Sequence, residues 1–350
     1  MKLSEFRFER PEVLQAAEPP EERGLDRDDV RLLVSRRGAH RHTRFSNLAE
    51  YLDPGDVLVV NQSATLPASL PATWTDGEFL LNCCTEYGDG VWLVEPRWGP
   101  GDPGPLPLST GDEFVAGGET GHVIGEFPGI DRLLFVRFEG DAGVAMARAG
   151  EPIRYGYLEG EYPLSAYQTT FATTPGSAEM PSAARPFTER VVEMLRRRGV
   201  GIATLTLHTG VSSLEVECDQ LECGCRDVWN PLYPEPFVVP AATARAVTAA
   251  RERGSRVVAV GTTVVRALET AWDGTRVAPT EGFTRTFVTP ERGVATVDAL
   301  LTGLHDPETT HLAMLYAVAG RERVLDAYES AVDERYLWHE FGDSHLLFAE

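Results

Sequence analysis

The segment 256–273, RVVAVGTTVVRALETAWD, constrains the fold most, because it joins a β-branched apolar run to a helical period through one glycine. The run at 257–260 is too short for a helix and is typical of a buried parallel strand. Gly261 permits a sharp turn, and the hydroxyl of Thr262 or Thr263 is placed to cap the following helix. Free N–H groups at such a turn attract an anion or a carboxylate, so we predict a ligand cradle here.

The helix after this turn has an apolar face and a charged face. Val265, Leu268 and Trp272 recur at helical spacing and are predicted to face the core. Arg266 and Glu269 share another face three residues apart. They are either ligand-binding groups at the edge of a sheet or an exposed salt pair, and their spacing leaves both interpretations open.

Composition indicates a globular protein rather than a membrane or secreted one. The 350 residues are long enough for two domains, and 43% are hydrophobic and 24% charged. No apolar run approaches the roughly 20 residues of a membrane span, and the start of the sequence has no signal-peptide core, so we expect a cytoplasmic protein. The formal charge is −21 and the single lysine is Lys2, which disfavours binding to a phosphate backbone.

A glycine-rich segment interrupts the α/β pattern. Residues 67–150 hold 15 of the 33 glycines and no helical period, and their short apolar runs recur at the spacing of strands. We therefore predict an α/β domain formed by residues 1–66 and 151–350, with residues 67–150 inserted as an all-β barrel or sandwich. Cys83 and Cys84 are adjacent in one predicted strand of this insert and are interpreted as packing residues.

Polar residues follow two of the predicted buried strands. Asn61 ends the strand at 57–60, and His208 ends the strand at 201–207. Ligands of open α/β sheets bind at the carboxyl ends of strands, so His208 is a candidate for acid or base chemistry. A structural histidine is the alternative. We expect the ligand between the Gly261 turn and the segment from Thr206 to Gly210.

A metal centre is not predicted. Cys218, Cys223 and Cys225 are close in sequence, but their spacing matches no zinc ribbon or finger, and no second cysteine pair lies nearby. The chain has five cysteines, and this odd number does not favour a framework in which every cysteine forms a disulfide.

Six ordered motifs resemble the S-adenosylmethionine:tRNA ribosyltransferase-isomerases of queuosine biosynthesis. They span nearly the whole chain, which makes the resemblance specific. The motifs are YLDPGDVLVVNQS at 51–63, AYQTTFA at 166–172, TLTLHTG at 204–210, AVGTTVVRALE at 259–269, LLTGLHDPETT at 300–310 and FGDSHLLF at 341–348. The resemblance implies a Rossmann-like α/β domain with an inserted closed β-barrel.

The resemblance also implies the chemistry. Such an enzyme transfers the ribosyl part of S-adenosylmethionine (SAM) to the aminomethyl-deazaguanine base of tRNA, and releases methionine and adenine. A base must remove a proton next to the sulfonium, and the departing adenine needs a proton or a hydrogen bond. The implied catalytic residues are His208 and His305, one of which handles the proton, and Asp343, which orients a histidine or a ribose hydroxyl. The implied SAM-binding residues are Thr206, Gly210, Gly261, Thr262, Thr263, Arg266 and Glu269.

Several positions depart from the family pattern. Cations of the family are replaced at four positions, a histidine is replaced by Pro186, and the segment CGCRDVWNP at 223–231 replaces a histidine-rich region. The four lost cations correspond to Ala64, Ser69, Ala166 and Glu308. We therefore interpret the chain as a SAM-dependent enzyme whose acceptor is a small molecule or SAM itself, with tRNA a doubtful partner. The alternatives are a true tRNA ribosyltransferase-isomerase and a SAM-binding protein without turnover.

Overall fold

The computed structural model describes residues 3–36, 39–75, 77–211 and 232–349. Cys218, Cys223, Cys225 and the segment 223–231 lie outside the described residues. The strands are β1 (Arg31–Arg36), β2 (Ala39–Arg44), β3 (Val57–Asn61), β4 (Ser63–Thr65), β5 (Ser69–Trp74), β6 (Gly77–Gly88), β7 (Val91–Gly99), β8 (Asp102–Pro103), β9 (Glu113–Ala116), β10 (Glu119–Glu126), β11 (Leu134–Phe138), β12 (Thr174–Ser177), β13 (Gly201–Leu207), β14 (Glu235–Val239), β15 (Val257–Val260), β16 (Thr280–Thr284), β17 (Ala299–Gly303) and β18 (Ser344–Phe348).

Six α-helices and several short 3₁₀ helices complete the described chain. The α-helices are α1 (Ala142–Ala149), α2 (Glu189–Arg197), α3 (Ala241–Glu252), α4 (Thr262–Thr270), α5 (Thr310–Ala319) and α6 (Arg321–Asp333). The 3₁₀ helices are Leu3–Phe6, Glu12–Leu14, Arg27–Asp29, Phe45–Tyr51, Leu164–Tyr167 and Ser182–Ala184. Among these described segments, no helix combines the length and the apolar character needed to cross a membrane.

A nine-stranded mixed sheet forms the larger layer, in the order β16-β14-β13-β3-β15-β17-β18-β1-β2. Its centre is parallel, from β13 through β3 and β15 to β17. The pairs β14–β16, β13–β14, β17–β18 and β1–β2 are antiparallel. The prediction of an α/β sheet drawn from both ends of the chain is confirmed. The Rossmann-like description is not confirmed, because antiparallel strands flank the parallel centre.

Both faces of the central strand β3 are covered, which explains its continuous apolar sequence. Val57 and Val59 pack into one core with residues of α3 and α4. Leu58 and Val60 pack on the other side of the sheet with residues of α2. The helix α2 begins after Thr188, whose hydroxyl accepts from the Val191 N–H and so caps the helix.

A closed antiparallel barrel forms the second layer, in the strand order β11-β10-β9-β5-β6-β7. Pairing of β11 with β7 closes it, and β8 extends it beyond β7. The predicted barrel is therefore present, whereas the domain boundaries at residues 66 and 150 stay a prediction. The absence of helix expected within 67–150 is wrong, because the Asp141 carboxylate caps α1 by accepting from the Gly143 and Val144 N–H groups. Cys83 and Cys84 are buried, as packing residues are.

The strand β17 is a second correction, because the sequence of 298–320 predicts only a loop, which contains His305, and a helix. Residues 299–303 instead pair in parallel with β15 and antiparallel with β18. The segment is five residues long and apolar at its start, so its sequence alone does not distinguish a buried strand from a loop. This strand carries Thr302 and leads directly to His305.

Candidate functional site

A pocket of about 110 Å³ lies at the carboxyl ends of β15 and β17. It brings together five predicted site residues, namely Gly261, Thr262, Thr263, Arg266 and His305. It also contains Thr209, which belongs to the predicted segment from Thr206 to Gly210, and residues that the sequence did not single out, among them Glu235, His311, Ser182 and Tyr233. The remaining predicted residues, His208, Thr206, Gly210, Glu269 and Asp343, lie outside this lining.

The Gly261 turn positions the start of α4 at the pocket. Gly261 itself is the N-cap residue, with φ of 94°, a backbone conformation that residues with a Cβ rarely adopt. The predicted threonine cap is wrong, because Thr262 is already the first helical residue. No side chain in the described chain caps α4, so N–H groups of its first turn are open to an anionic group.

Arg266 is 8% exposed and is held by two protein acceptors. Its Nη1 donates to the Glu235 carboxylate, and its Nε donates to the Thr286 carbonyl at 3.1 Å. Its Nη2 is buried and has no hydrogen-bond partner in the described part of the chain. The guanidinium is thus fixed in place with one donor unused, and the interpretation as an exposed salt pair with Glu269 is wrong.

Glu269 points away from the pocket and holds a loop. Its carboxylate accepts from the backbone N–H groups of Ala295 and Thr296, both at 2.8 Å, and from the Thr296 hydroxyl at 2.7 Å. Arg292 pairs with the same carboxylate at 3.3 Å. Since four donors already occupy a side chain that is 6% exposed, the structure favours a structural role over the predicted ligand contact.

Two histidines stack against each other in the pocket wall. The rings of His305 and His311 are 4.5 Å apart and nearly parallel, and His305 Nε2 lies 2.8 Å from the Thr302 hydroxyl. Desolvation is the main cause that lowers the pKa of His305 well below its ordinary range, and it lowers the pKa of His311 to about 4. Both imidazoles are therefore neutral near pH 7. The sequence around His311, THLAMLYAVAG, predicts an apolar helix and does not mark this histidine as functional, and its position six residues after His305 is the only signal in the sequence.

His208 lies in a different cavity from His305. Its Nδ1 is 2.7 Å from the Ser63 hydroxyl, and burial lowers its pKa. The cavity that it lines has a volume of about 550 Å³ and lies between the barrel and the end of β13. The structure therefore does not bring the two candidate histidines, His208 and His305, into one cavity.

Three further predicted site residues make structural contacts. The Asp343 carboxylate accepts from the backbone N–H groups of Arg31 and Leu337, at 2.7 and 2.8 Å, while burial raises its pKa. The Thr206 hydroxyl accepts from the Gln62 amide at 3.2 Å. The Gly210 N–H donates to Glu235 Oε1 at 2.8 Å. None of these predicted residues faces the pocket, although Gly210 is coupled to it through Glu235.

Glu235 is a functional candidate that sequence reasoning missed, and Thr209 was predicted only as part of the segment from Thr206 to Gly210. Glu235 joins the loop after β13 to Arg266, because one carboxylate oxygen accepts from Gly210 and the other from Arg266. Thr209 is 6% exposed, and its hydroxyl has no partner among the residues that the structure describes. Neither residue shows a periodic or spaced pattern in the sequence, because the contacts form only when β13, β14 and α4 meet.

A metal centre finds no support within the described ranges, where no group of three His, Cys, Asp or Glu side chains is arranged to hold an ion. The pocket instead presents an arginine donor, helix N–H groups and neutral imidazoles. This set suits an amino acid carboxylate together with proton transfer.

Comparison with known proteins places the whole chain in one family. Residues 3–347 match the family model described as queuosine biosynthesis protein. Proteins named S-adenosylmethionine:tRNA ribosyltransferase-isomerase are 39% identical in Anaeromyxobacter sp., over 99% of both chains, and 39% identical in Thermus thermophilus, over 94% of this chain and 96% of that one. The crystal structure of S-adenosylmethionine tRNA ribosyltransferase from Thermotoga maritima covers 98% of this chain and 99% of its own, with 29% identity and a TM-score of 0.53.

These similarities confirm the family resemblance and the prediction of a SAM-dependent transferase and isomerase. They favour the alternative of a tRNA enzyme over our main interpretation of a small-molecule acceptor, because the relatives' names include tRNA. The chain belongs to the S-adenosylmethionine:tRNA ribosyltransferase-isomerase family of queuosine biosynthesis proteins.

Proposed function

We propose that this protein transfers the ribosyl part of SAM to a modified base in tRNA, with release of methionine and adenine. The observation that carries the proposal is the full-length similarity to relatives named for this reaction. The chemistry of the pocket supports it, because the pocket offers a fixed cationic donor and neutral bases side by side.

The methionine end of SAM is the part that suits the first pocket. Its carboxylate matches the unused Nη2 of Arg266 and the uncapped start of α4. The volume of about 110 Å³ suits an amino-acid-sized group rather than the whole of SAM. We therefore place the methionyl carboxylate here, with the adenosyl part extending out of the pocket.

Neutral imidazoles suit the proton removal next to the sulfonium. His305 is engaged with Thr302 through Nε2, whereas neither ring nitrogen of His311 has a hydrogen-bond partner in the described residues. A ring nitrogen of His311 is therefore more available to accept a proton, and the stacked ring of His305 restricts the movement of the His311 ring. We assign the base to His311 and a positioning role to His305.

The loss of the four family cations does not by itself exclude a tRNA substrate. Ser69 is buried in the barrel strand β5, and Glu308 forms an ion pair with Arg7 at 2.5 Å. Two of the four replaced family cations thus correspond to side chains with local structural contacts. The net charge of −21 still repels a polyanion, so we expect weak association that depends on local arginine contacts with phosphate, and those contacts weaken as the salt concentration rises.

The test is incubation of the protein with SAM and with tRNA that carries the aminomethyl-deazaguanine precursor, followed by mass spectrometry of the nucleosides. We expect a ribosyl adduct on the base, together with stoichiometric adenine and methionine. The same tRNA with guanine at that position is the matched control and is expected to stay unmodified. Adenine release at an equal rate without tRNA would instead support a small-molecule acceptor, and SAM binding without products would support a non-catalytic protein.

A further inference from the structure

The second cavity is built from both layers of the molecule. Strands β6 and β7 of the barrel form one wall, and the segment after β13 forms another. The lining includes Thr85, Trp92, Glu86, Asp141, Gly176 and His208. Its volume of about 550 Å³ is in the usual range for small-molecule sites, and it is about five times that of the first pocket by the same measure.

A chain of hydrogen bonds sets the tautomer of His208. The Thr209 N–H donates to Ser177 Oγ at 2.9 Å, Ser177 Oγ lies 2.6 Å from Ser63 Oγ, and Ser63 Oγ lies 2.7 Å from His208 Nδ1. Ser177 is fully buried, so its hydroxyl proton needs an acceptor, and within the described structure Ser63 is the one available. The Ser63 proton then goes to Nδ1. His208 consequently carries its own proton on Nε2, as a neutral donor.

Gly176 leaves the space that this arrangement needs. A Cβ at this position would lie 2.5 Å from the His208 ring, and the φ of 152° also favours glycine. The ring is thus confined between Gly176 and the Ser63 hydroxyl, so the direction of its donor is fixed. A fixed donor recognises an acceptor atom at lower entropic cost than a mobile one does.

The barrel wall supplies an aromatic surface and an unused hydroxyl. Thr85 is 3% exposed, and its Oγ1 has no hydrogen-bond partner in the parts of the chain that the structure describes. Trp92 is 7% exposed and also borders the cavity, but it pairs with Glu86 and therefore lies on the opposite face of the barrel wall from Thr85, which pairs with Leu93. A buried polar atom without a partner is costly, so a ligand that bonds to Thr85 would be stabilised.

Two carboxylates lie at the exposed side of the cavity. Glu86 and Asp141 are exposed, and the Asp141 carboxylate also caps α1 through one oxygen. Carboxylates accept hydrogen bonds and attract a cationic amine, whereas they repel phosphate. The ligand class is therefore a base that carries N–H or ammonium groups, rather than a nucleotide phosphate.

We propose that this cavity is the acceptor subsite and binds a purine-type base, with its acceptor atom facing His208 Nε2 and its amino groups facing Glu86 and Asp141. The inference rests on the proposed transfer to a tRNA base, which must leave the stack to reach such a cavity. His208 and Thr209 are consecutive residues, and they line the second cavity and the first pocket respectively. Donor and acceptor are thus bound on two sides of one backbone segment.

The test is calorimetric titration of the whole protein with free 7-aminomethyl-7-deazaguanine and, separately, with SAM. Substitutions His208→Ala and Thr85→Val are expected to weaken binding of the free base at least about fivefold each, the scale of a lost hydrogen bond, and to leave SAM affinity unchanged. His208→Gln keeps an N–H donor and is expected to recover part of the affinity. Arg266→Lys is the matched control, expected to weaken SAM but not the base. Thermal unfolding establishes that each variant is folded.

Three results would overturn the acceptor subsite: no binding of the free base to the wild-type protein at millimolar concentration, base affinity unchanged in both cavity variants, or loss of base affinity in Arg266→Lys alone. Turnover is measured separately. If the cavity variants transfer the ribosyl group to tRNA as the wild type does, the acceptor subsite is contradicted and the proposed function is supported. If the free base binds in a His208-dependent way but no transfer occurs, the subsite is supported and the proposed function is contradicted.

Discussion

The observed contacts of Arg266 differ from those that its sequence position suggests. Its position three residues before Glu269 suggests a surface ion pair, but its guanidinium is buried and is held by Glu235 and Thr286. Because these two contacts leave Nη2 unused, the residue is pre-organised for an anionic group. Glu235 keeps the buried cation paired in the absence of a ligand.

Replacing Arg266 by lysine is expected to weaken SAM binding by about 1.5–3 kcal/mol, the scale of a charge-assisted hydrogen bond. Lysine retains one cation opposite Glu235, so the fold is expected to survive, but it lacks the second guanidinium donor. Calorimetry with SAM is the measurement. Arg245→Ala, on the exposed side of α3, is the matched control and is expected to bind SAM as the wild type does. Equal SAM affinity in folded Arg266→Lys would contradict the carboxylate assignment.

At the scale of elements, the junction between β15 and α4 forms the pocket floor. The Gly261 N–H donates to the Leu301 carbonyl of β17 at 2.8 Å, which fixes the turn against the neighbouring strand. Helix α4 then starts without a side-chain cap, and its first turn faces the pocket. The helix therefore lacks the stabilisation that a side-chain cap would give, and its first N–H groups stay available to an anion.

Gly261→Ala is expected to lower the free energy of unfolding by about 1–3 kcal/mol, because alanine is strained at this φ. It is also expected to weaken SAM binding, since the turn must shift. Gly254→Ala is the matched control, with φ of 70° and open space around the Cβ position. It is expected to reduce stability by about 1–2 kcal/mol and to leave SAM affinity unchanged. Denaturant unfolding and calorimetry separate the two effects, and equal SAM affinities of the two variants would exclude the turn from the site.

At the scale of the whole molecule, the mixed sheet and the barrel share the segment that runs out of β13. Residues of this segment line the first pocket together with α4 and α5, and they line the second cavity together with the barrel. The interior also contains histidines that the proposed reaction does not use. His345 is fully buried in β18, with Nε2 2.8 Å from the Ser35 hydroxyl, and desolvation is the main cause that lowers its pKa to about 3.

Acid is expected to destabilise the protein through this histidine. Its folded pKa lies below the unfolded value of about 6.5, so the unfolded state binds more protons, and stability falls as the pH drops below about 6.5. The contribution approaches about 1.4 kcal/mol per pH unit until the folded pKa is reached. Replacement of His345 by Gln is expected to flatten the dependence of unfolding free energy on pH between 6.5 and about 4, within the window set by the pKa of about 3. His122→Gln, at a half-exposed barrel position, is the control, and parallel curves for wild type and His345→Gln would contradict the assignment.

Local pattern determined much of this protein before any contact was known. The alternation of apolar strands and amphipathic helices specified the α/β layer, and the glycine-rich spacing of 67–150 specified a β-barrel or sandwich. The strand and glycine turn at 257–261 also predicted the sheet edge at which the first pocket lies. These features depend on residues that are close in sequence, so periodicity and turn chemistry are sufficient to reveal them.

Only the tertiary structure decided which polar residues meet. Glu235 reaches Arg266 across 31 positions, and Ser63 reaches His208 across 145, so no sequence spacing indicates either contact. Burial decided the rest: it separated Glu269 and Asp343 from the pocket, kept His305 and His311 neutral and left Arg266 with one unused donor. Desolvation and hydrogen-bond satisfaction depend on everything that surrounds a group in space, and the sequence order of the chain does not contain that information directly.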